Sequence, residues 1–342
     1  MPDIRHLRNL CLTREQMFVG GGCHGKLAGI RLEEVLSCAW NTDSSAELPG
    51  FLSQPEDSAL IEISGTSLLC STDLIYLPGA NLYDAGRVAA LHALSDIYAS
   101  GGLPRWALVT LLIGREMPFE YGQAVMAGVR ETCTQEGVAI IGGHTVTGNE
   151  AMVGLSVIGT TLQPPLRKGG AVPGDRLFLS KPVGTGLCLA GFKNGLCADD
   201  VLAEAVAVML ASSKDAAEAA TRANATACTD VSGFGLLGHL SELLSSGLGA
   251  ELRKHAVPTL AFASTAPRVL AESLWIRNNY EYATSRVEMQ CSEAVHRLAG
   301  LLDPQTNGPL LVAAPPASTD LLLSAGYTEV GQFTDRPLLV IK

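Results

Sequence analysis

A glycine-rich stretch near the start of the chain, Gly20–Lys26, carries a cysteine and a lysine. Glycine tolerates positive φ and lets the backbone approach a ligand closely, which suits a loop better than a packed helix or strand. Cys23 is followed three residues later by Lys26, and a thiol beside a cation has a stabilised thiolate, the reactive form. The stretch is either a nucleophilic loop or a flexible leader with a structural cysteine, and its local sequence favours the leader.

Four aspartates stand where predicted strands end or where a predicted helix adjoins a strand: Asp57, Asp73, Asp96 and Asp230. Hard divalent cations take oxygen ligands, and Mg²⁺ is usually held by a few carboxylates together with substrate phosphates. Each aspartate alone is better explained as a helix cap or a turn residue. The set indicates a Mg²⁺ site only if the fold brings its members together.

Two glycine turns are candidates for phosphate contact. Gly142-Gly143-His144-Thr145 follows a predicted strand, and Gly233-Phe234-Gly235 precedes a predicted helix. Both could direct backbone N–H groups at a phosphate. Neither has the spacing of a Walker A or dinucleotide-binding loop, and tight turns that need positive φ explain each equally well.

Strands and helices must position these groups. Residues 59–63 and 67–72 predict a β-hairpin, whose neighbouring ends allow Asp57 and Asp73 to face one site. Apolar spacing predicts helices over 83–99 and 118–136. Further strands are predicted at residues 105–113, 138–141, 151–160, 176–180, 225–231 and 309–313.

The region 163–175 contains three prolines and three glycines, which indicates a linker. Both sides of it mix strands and helices, so we predict two α+β domains. The predicted organisation is a flexible glycine-rich segment over 1–55, an N-terminal domain over 56–163 and a C-terminal domain over 164–342.

Composition excludes several classes of function. The 342 residues carry a net charge of −10 without a basic block, and only 5% are aromatic, which argues against nucleic-acid binding. Nine cysteines without a CxxC pair indicate neither clustered zinc thiolates nor a disulfide framework. No segment resembles a signal peptide or a membrane span. We therefore expect a soluble cytoplasmic protein, and its 17% charged residues leave surface that an oligomer could bury.

Several longer motifs stand in a fixed order from about residue 20 to the C-terminus: Cys23-His24-Gly25-Lys26, Glu56–Leu60, Ser71–Asp73, Gly86–Ala90, Leu94–Gly102, Gly142–His144, Thr229–Leu240 and Asp303–Thr306. Together they resemble the selenophosphate synthetase (selenide, water dikinase) family. The runs Leu94–Gly102 and Thr229–Leu240 are the most specific.

The resemblance implies the fold of the aminoimidazole-ribonucleotide synthetase superfamily. That fold has two α+β domains in a homodimer, with an intersubunit β-barrel made by the N-terminal domains and a C-terminal α+β sandwich. The implied reaction converts ATP, selenide and water into selenophosphate, phosphate and AMP with Mg²⁺, and supplies activated selenium for selenocysteine and selenouridine synthesis. A selenium-delivery protein is a conceivable partner, whereas nucleic acid and membrane are not expected.

The resemblance also implies roles for individual residues. The family's catalytic cysteine and lysine fall on Cys23 and Lys26. Its metal-binding aspartates fall on Asp57, Asp73, Asp96 and Asp230. Its nucleotide contacts fall on Lys26, Glu56, Asp73, Asp96, Gly143, His144 and Thr145. This chain departs from the family's usual residues at His24, Gly25, Glu56, His92 and Asn307.

Two other functions are weighed against this one. Another ATP-using enzyme of the superfamily, such as aminoimidazole-ribonucleotide synthetase or thiamine-phosphate kinase, would lack the Gly-Cys-x-x-Lys leader. A non-catalytic nucleotide-binding protein would not need the aspartates together with Cys23 and Lys26, but the departures at His24 and His92 leave this function open. The sequence leaves open whether Cys23 delivers selenium as a perselenide or guards the nucleophile.

Overall fold

The computed structural model describes residues 8–13, 22–23, 27, 31, 56–79, 81–161, 164–244 and 247–342. Most of the segment predicted over 1–55 lies outside these residues, and so do His24, Gly25 and Lys26. Cys23 is described. Within the described residues, no helix combines the length and the apolar character needed to cross a bilayer.

The first half of the chain alternates strands and helices. Its elements are β1 (Ala59–Ile63), β2 (Thr66–Tyr76), α1 (Leu82–Ala99), β3 (Leu103–Gly114), α2 (Phe119–Gln135), β4 (Ala139–Gly148) and β5 (Met152–Thr160). The strands form one sheet in the order β1-β2-β5-β3-β4, in which only the β3–β4 pair is parallel. The predicted helices over 83–99 and 118–136 are confirmed to within a residue at each end.

The two faces of this sheet differ in what covers them. One face packs on α1 and α2 through buried side chains such as Leu69, Val109 and Leu155. Because side chains alternate along a strand, the opposite face carries the residues between them, and there Leu74 and Leu108 remain exposed. The uncovered face of the N-terminal sheet is therefore partly apolar.

The second half builds a seven-stranded mixed sheet in the order β7-β10-β6-β11-β8-β12-β9. Its strands are β6 (Arg176–Leu179), β7 (Ala227–Asp230), β8 (Gly249–Leu252), β9 (Glu288–Gln290), β10 (Leu310–Ala314), β11 (Thr328–Thr334) and β12 (Leu338–Ile341). Its helices are α3 (Thr185–Lys193), α4 (Asp199–Met209), α5 (Lys214–Arg222), α6 (Gly235–Leu243), α7 (Ala261–Ser264), α8 (Arg268–Ala271), α9 (Leu274–Arg286), α10 (Ala299–Leu302) and α11 (Thr319–Ser324). Short 3₁₀ turns lie at Lys168–Gly170, Lys254–Ala256, Val295–Leu298 and Pro316–Ser318.

Helix α1 joins the two halves. Its buried side chains, including Leu94 and Ile97, belong to the same apolar cluster as Phe178 on β6 and Val312 on β10. The helix also contacts β7. The C-terminal end of α1 and the C-terminal end of β7 are thereby held together. The first carries Asp96 and the second Asp230, two of the predicted metal-binding aspartates.

Two sequence predictions about local structure are wrong. The segment Gly142–Thr145 is not a turn, because β4 runs through it to Gly148 in parallel pairing with β3. A Cβ atom at Gly143 would lie 2.0 Å from the Val109 carbonyl oxygen, so this glycine permits close strand approach. The second hairpin strand continues to Tyr76, which places Asp73 within β2 rather than after it.

Candidate active site

Three of the four predicted aspartates converge. Asp57 precedes β1, Asp96 lies in the last turn of α1, and Asp230 ends β7. One carboxylate oxygen from each lies within 4.8 Å of the other two. We call these three residues the acidic cluster, and it is assembled from both halves of the chain.

Neighbouring hydroxyl groups orient the acidic cluster. Ser71 Oγ donates a hydrogen bond to Asp96 Oδ2, and Ser95 Oγ donates to Asp230 Oδ2 at 2.5 Å. Thr229 Oγ1 donates to Asp57 Oδ1 at 2.9 Å. Each carboxylate therefore has a fixed direction before any ligand binds.

Burial and mutual repulsion destabilise the charged form of the acidic cluster. Burial raises the pKa of Asp57 to about 6; the nearby Lys168 ammonium opposes this rise and Asp230 adds to it. Burial, and then the charges of Asp73, Asp230 and Asp57, hold the pKa of Asp96 well above its usual range. A bound divalent cation would relieve this repulsion, and carboxylate oxygens are the ligands that Mg²⁺ prefers. The residues present thus fit a Mg²⁺ ion.

Asp73 lies beside the acidic cluster rather than within it. Its charge raises the pKa of Asp96, so the two carboxylates are close enough to interact. Asp73 Oδ2 also lies 3.6 Å from His92 Nε2. The side chain is 25% exposed, which leaves it accessible to a ligand at the edge of the cluster.

Cys23 is docked against elements of both halves. Its side chain is buried, its backbone N–H donates to Thr306 Oγ1 at 3.0 Å, and its Sγ lies 3.1 Å from His92 Nε2. The preceding Gly22 donates its N–H to the Tyr76 carbonyl at 3.2 Å. A Cβ atom at Gly22 would lie 2.1 Å from Thr306 Oγ1, so this docking requires glycine.

His92 connects Cys23 to the acidic side of the site. Burial lowers the pKa of His92, but the charges of Cys23 and Asp73 outweigh burial and raise it to about 10. One hydrogen bond favours the neutral ring instead. The Asn307 N–H donates to His92 Nδ1 at 3.2 Å, and Nδ1 can accept this bond only when it carries no proton. Whether His92 is neutral or protonated, Nε2 carries a proton that it can donate to Cys23 Sγ, with Asp73 Oδ2 3.6 Å away. Sequence reasoning assigned His92 no role, although its position four residues before Asp96 on α1 places both on one helix face.

Lys168 is a second residue that sequence reasoning missed, because it lies in the predicted linker. Its ammonium group lies 2.8 Å from Asp57 Oδ1 and 2.7 Å from Glu242 Oε2. Its backbone N–H donates to Glu56 Oε2 at 3.0 Å. His239, also given no role, lies with Nδ1 3.3 Å from Glu242 Oε2. This buried network adjoins the acidic cluster.

The residues predicted to contact phosphate through glycine turns lie apart from the acidic cluster or have another role. Gly143, His144 and Thr145 lie on the edge strand β4, separated from Asp73 on β2 by β5 and β3. In a single chain they therefore do not join the acidic cluster. Gly235 has φ +69°, and a Cβ atom there would lie 2.7 Å from the Leu302 backbone, so packing explains this glycine.

Two family models match the chain. Residues 55–161 match the N-terminal domain of AIR synthase related protein, and residues 172–341 match its C-terminal domain. Together these matches cover most of the chain, including the acidic cluster.

Curated relatives resemble the chain over most of its length. A selenide, water dikinase from Pelobacter propionicus is 33% identical over 315 residues, which is 91% of this chain and 90% of the relative. A selenide, water dikinase from Geobacter metallireducens is 34% identical over 314 residues, or 89% of each chain.

Solved structures resemble the fold at lower identity. Hydrogenase maturation protein HypE in complex with ATP has a TM-score of 0.62 at 19% identity, covering 92% of both chains. Thiamine monophosphate kinase from Aquifex aeolicus has a TM-score of 0.63 at 19% identity, covering 92% of this chain and 97% of the other. At such identity the likeness concerns the two-domain α/β fold with mixed sheets.

Proposed function

This chain belongs to the selenide, water dikinase family, and we propose that one composite site built from both halves of the chain performs the reaction. The enzyme uses ATP, selenide and water to make selenophosphate, phosphate and AMP. In the proposed division of work, the acidic cluster binds the metal–nucleotide complex and Cys23 handles the selenium nucleophile. The observation that carries this proposal is that His92 Nε2 contacts both Cys23 Sγ and Asp73.

Mg²⁺ held by Asp57, Asp96 and Asp230, with Asp73 at the edge, would neutralise the triphosphate and orient its γ-phosphoryl group. The protein contributes mainly the positions of its charged groups, because phosphoryl transfer depends on alignment and charge stabilisation. The hydroxyl groups of Ser71, Ser95 and Thr229 fix the directions of the carboxylates before the nucleotide arrives. This arrangement avoids reorganisation during the reaction.

The first transfer forms a selenium–phosphorus bond at the γ-phosphorus atom. The bond from that phosphorus to the β,γ-bridging oxygen breaks, and the electron pair leaves with ADP. Lys26 is proposed to stabilise the charge that develops there. Water then attacks the β-phosphorus of ADP, and AMP leaves as inorganic phosphate is released.

Cys23 is proposed to guide the selenium nucleophile into line with the γ-phosphorus atom. Its docked position, between His92 and Thr306, removes its thiol from solvent. Exclusion of water at this stage would protect the transfer to selenium from competing hydrolysis. Lys26 lies outside the described residues, and its proposed role rests on the family resemblance.

A homodimer would complete the nucleotide site. The exposed apolar face of the N-terminal sheet, with Leu74 and Leu108, suits closure against a second copy into an intersubunit barrel, leaving the C-terminal sandwiches outside. The exposed edge strand β4 would then carry Gly143, His144 and Thr145 toward nucleotide. Glu56 is a further proposed nucleotide contact.

The proposed location is the cytoplasm. The cysteines in the described part of the chain are all free thiols, which suits a reducing compartment. A selenium-delivery protein remains a proposed partner, since free selenide is reactive and His92 links Cys23 to the partly exposed Asp73.

Phosphorus NMR under anaerobic conditions tests the proposed function. With ATP, Mg²⁺ and selenide, we expect selenophosphate and AMP in equal amounts. ADP as the only product would instead indicate an ordinary kinase or ligase, and absence of turnover would indicate a nucleotide-binding protein. The Lys26→Ala variant should give no selenophosphate while keeping the circular dichroism spectrum of the native protein.

A further inference from the structure

Lys168 is a lysine buried between two carboxylates at the border of the acidic cluster. Its side chain is 10% exposed, and its partners Asp57 and Glu242 are 6% and 4% exposed. Both nitrogen–oxygen distances are below 3 Å, so the ammonium group contacts both carboxylates at once. Thr229 and Lys168 share Asp57 Oδ1 as their acceptor, so this carboxylate, a member of the acidic cluster, already has two donors.

The surroundings hold Lys168 in this place. Its backbone N–H is bound by Glu56, which fixes the start of the side chain. At the far end, Glu242 Oε1 accepts a hydrogen bond from Tyr282 at 2.8 Å, and Glu242 Oε2 lies beside His239. Glu242 is thus anchored from α9 and α6, and it keeps the ammonium group from leaving toward solvent.

Within the acidic cluster, the ammonium group of Lys168 contacts Asp57. Asp57 and Glu242 contact the ammonium group at 2.8 and 2.7 Å, and two carboxylates at this distance favour the charged form of a lysine. Asp57 accepts this ionic contact from Lys168, whereas Asp96 accepts a hydrogen bond from the neutral Ser71 hydroxyl group. A fixed cation therefore already neutralises part of Asp57.

We propose that Lys168 is a built-in cation that competes with a divalent metal ion for Asp57 and thereby sets the affinity of the metal site. The inference rests on the proposed function, because it takes the acidic cluster as a metal site. Glu242 competes with Asp57 for the ammonium group and so weakens the contact between Lys168 and Asp57. Removing Glu242 alone leaves Asp57 as the remaining carboxylate partner of the ammonium group, and removing both charges frees Asp57 for the metal.

The test is a Mn²⁺ titration without nucleotide, in which electron paramagnetic resonance reports free Mn²⁺. Lys168→Met/Glu242→Gln conserves net charge and leaves no unpaired buried acid at position 242, and we expect it to bind Mn²⁺ at least about tenfold more tightly than the native protein. Glu242→Gln alone should bind Mn²⁺ more weakly, by roughly threefold or more. If the network had only a structural role, both variants would change the affinity for Mn²⁺ in the same direction.

Lys254→Met/Glu293→Gln is the matched control. This pair has the same chemistry, with Nζ 2.5 Å from Oε2, but its side chains are about one-third exposed and contact no residue of the acidic cluster. It should leave Mn²⁺ binding unchanged.

Two outcomes would overturn the inference, and they differ. If the native protein binds Mn²⁺ and the double variant binds it equally or less tightly, Lys168 does not compete for Asp57, and the metal site itself stands. If neither protein binds Mn²⁺, with or without ATP, the proposed metal function fails as well. Circular dichroism and thermal melts of each variant establish that the fold is retained.

Discussion

The carboxylate side and the cysteine side of the site are built in different ways. Asp57, Asp96 and Asp230 lie at or next to regular elements, partly or fully buried beside hydroxyl partners, and the core that α1 shares with both sheets joins those elements. Cys23 instead depends on single contacts with Thr306 and His92. The proposed nucleotide side is thus fixed by the fold itself, and the proposed selenium side by a few individual bonds.

This difference suits the order of events in the proposed reaction. A preformed carboxylate site can bind a charged nucleotide without reorganisation. A cysteine held by few bonds can leave its docked position at low cost, admit the selenium nucleophile without forming a bond to it, and return. Substitutions should therefore affect the two sides independently. Those at the carboxylates should change nucleotide binding, and those at the contacts of Cys23 should change the exposure of its thiol.

The largest effect should follow the loss of a carboxylate from the acidic cluster. Asp230→Asn removes one negative charge and one proposed metal ligand while keeping the shape of the side chain. We expect Mg²⁺-dependent ATP binding to weaken at least about tenfold, since loss of even an outer partner of a metal ligand costs that much. Isothermal titration with ATP at fixed Mg²⁺ measures the change. Alkylation of Cys23 should stay as in the native protein, and a large change there would show that the two sides are not separate.

A smaller effect should follow the loss of one docking bond of Cys23. Thr306→Val removes the hydroxyl that accepts the Cys23 N–H, at a cost of about 1 kcal/mol to the docked position. The rate of Cys23 alkylation by iodoacetamide should rise about fivefold, because reaction requires the thiol to be exposed. Peptide mass spectrometry provides an internal control, since the exposed Cys11 should react at an unchanged rate. An unchanged rate at Cys23 would remove Thr306 from the docking contacts.

The smallest effect should be the pH dependence of metal binding. Burial raises the pKa of Asp57 to about 6, so protons compete with the metal below that pH. Lowering the pH from about 7.5 to about 5.5 should weaken Mn²⁺ binding about fourfold through this one group. Titrations at several pH values measure this trend, and affinity that is flat or rises toward low pH would contradict it.

The metal-free protein should show the opposite trend in stability. A carboxyl group whose pKa is raised by folding stabilises the protein below its unfolded pKa and loses that contribution as the pH rises through its folded pKa. For Asp57 this window runs from about pH 4 to about pH 6. Urea unfolding without metal should therefore show this contribution to the free energy of unfolding declining across that window, and adding Mg²⁺ should restore it at neutral pH.

The sequence predicted the elements better than the contacts between them. The apolar spacing that specifies α1 is local, and the predicted helix over 83–99 differs from Leu82–Ala99 by one residue. The contact of Cys23 with His92, by contrast, spans 69 residues, and that of Lys168 with Glu242 spans 74. No local pattern encodes such pairs, because they depend on how α1 and the linker pack.

The glycines also show that a local pattern does not reveal long-range contacts. A glycine pair after a strand predicts a turn, and that interpretation was wrong at Gly142–Thr145 because the residue type alone does not reveal why glycine is needed. At Gly143 the reason is the close approach of the Val109 carbonyl, which becomes visible only once β3 and β4 are paired. The convergence of Asp57, Asp96 and Asp230 could be expected from the family resemblance, but not from their spacing.

The measurement that tests the central claim most directly compares Cys23→Ser with the native protein in two assays on the same samples. The division of the site predicts that the variant binds Mg·ATP as the native protein does, while anaerobic phosphorus NMR with selenide detects selenophosphate reduced at least about a thousandfold. Native levels of selenophosphate from Cys23→Ser would contradict the account, and so would loss of Mg·ATP binding in a variant that is still folded.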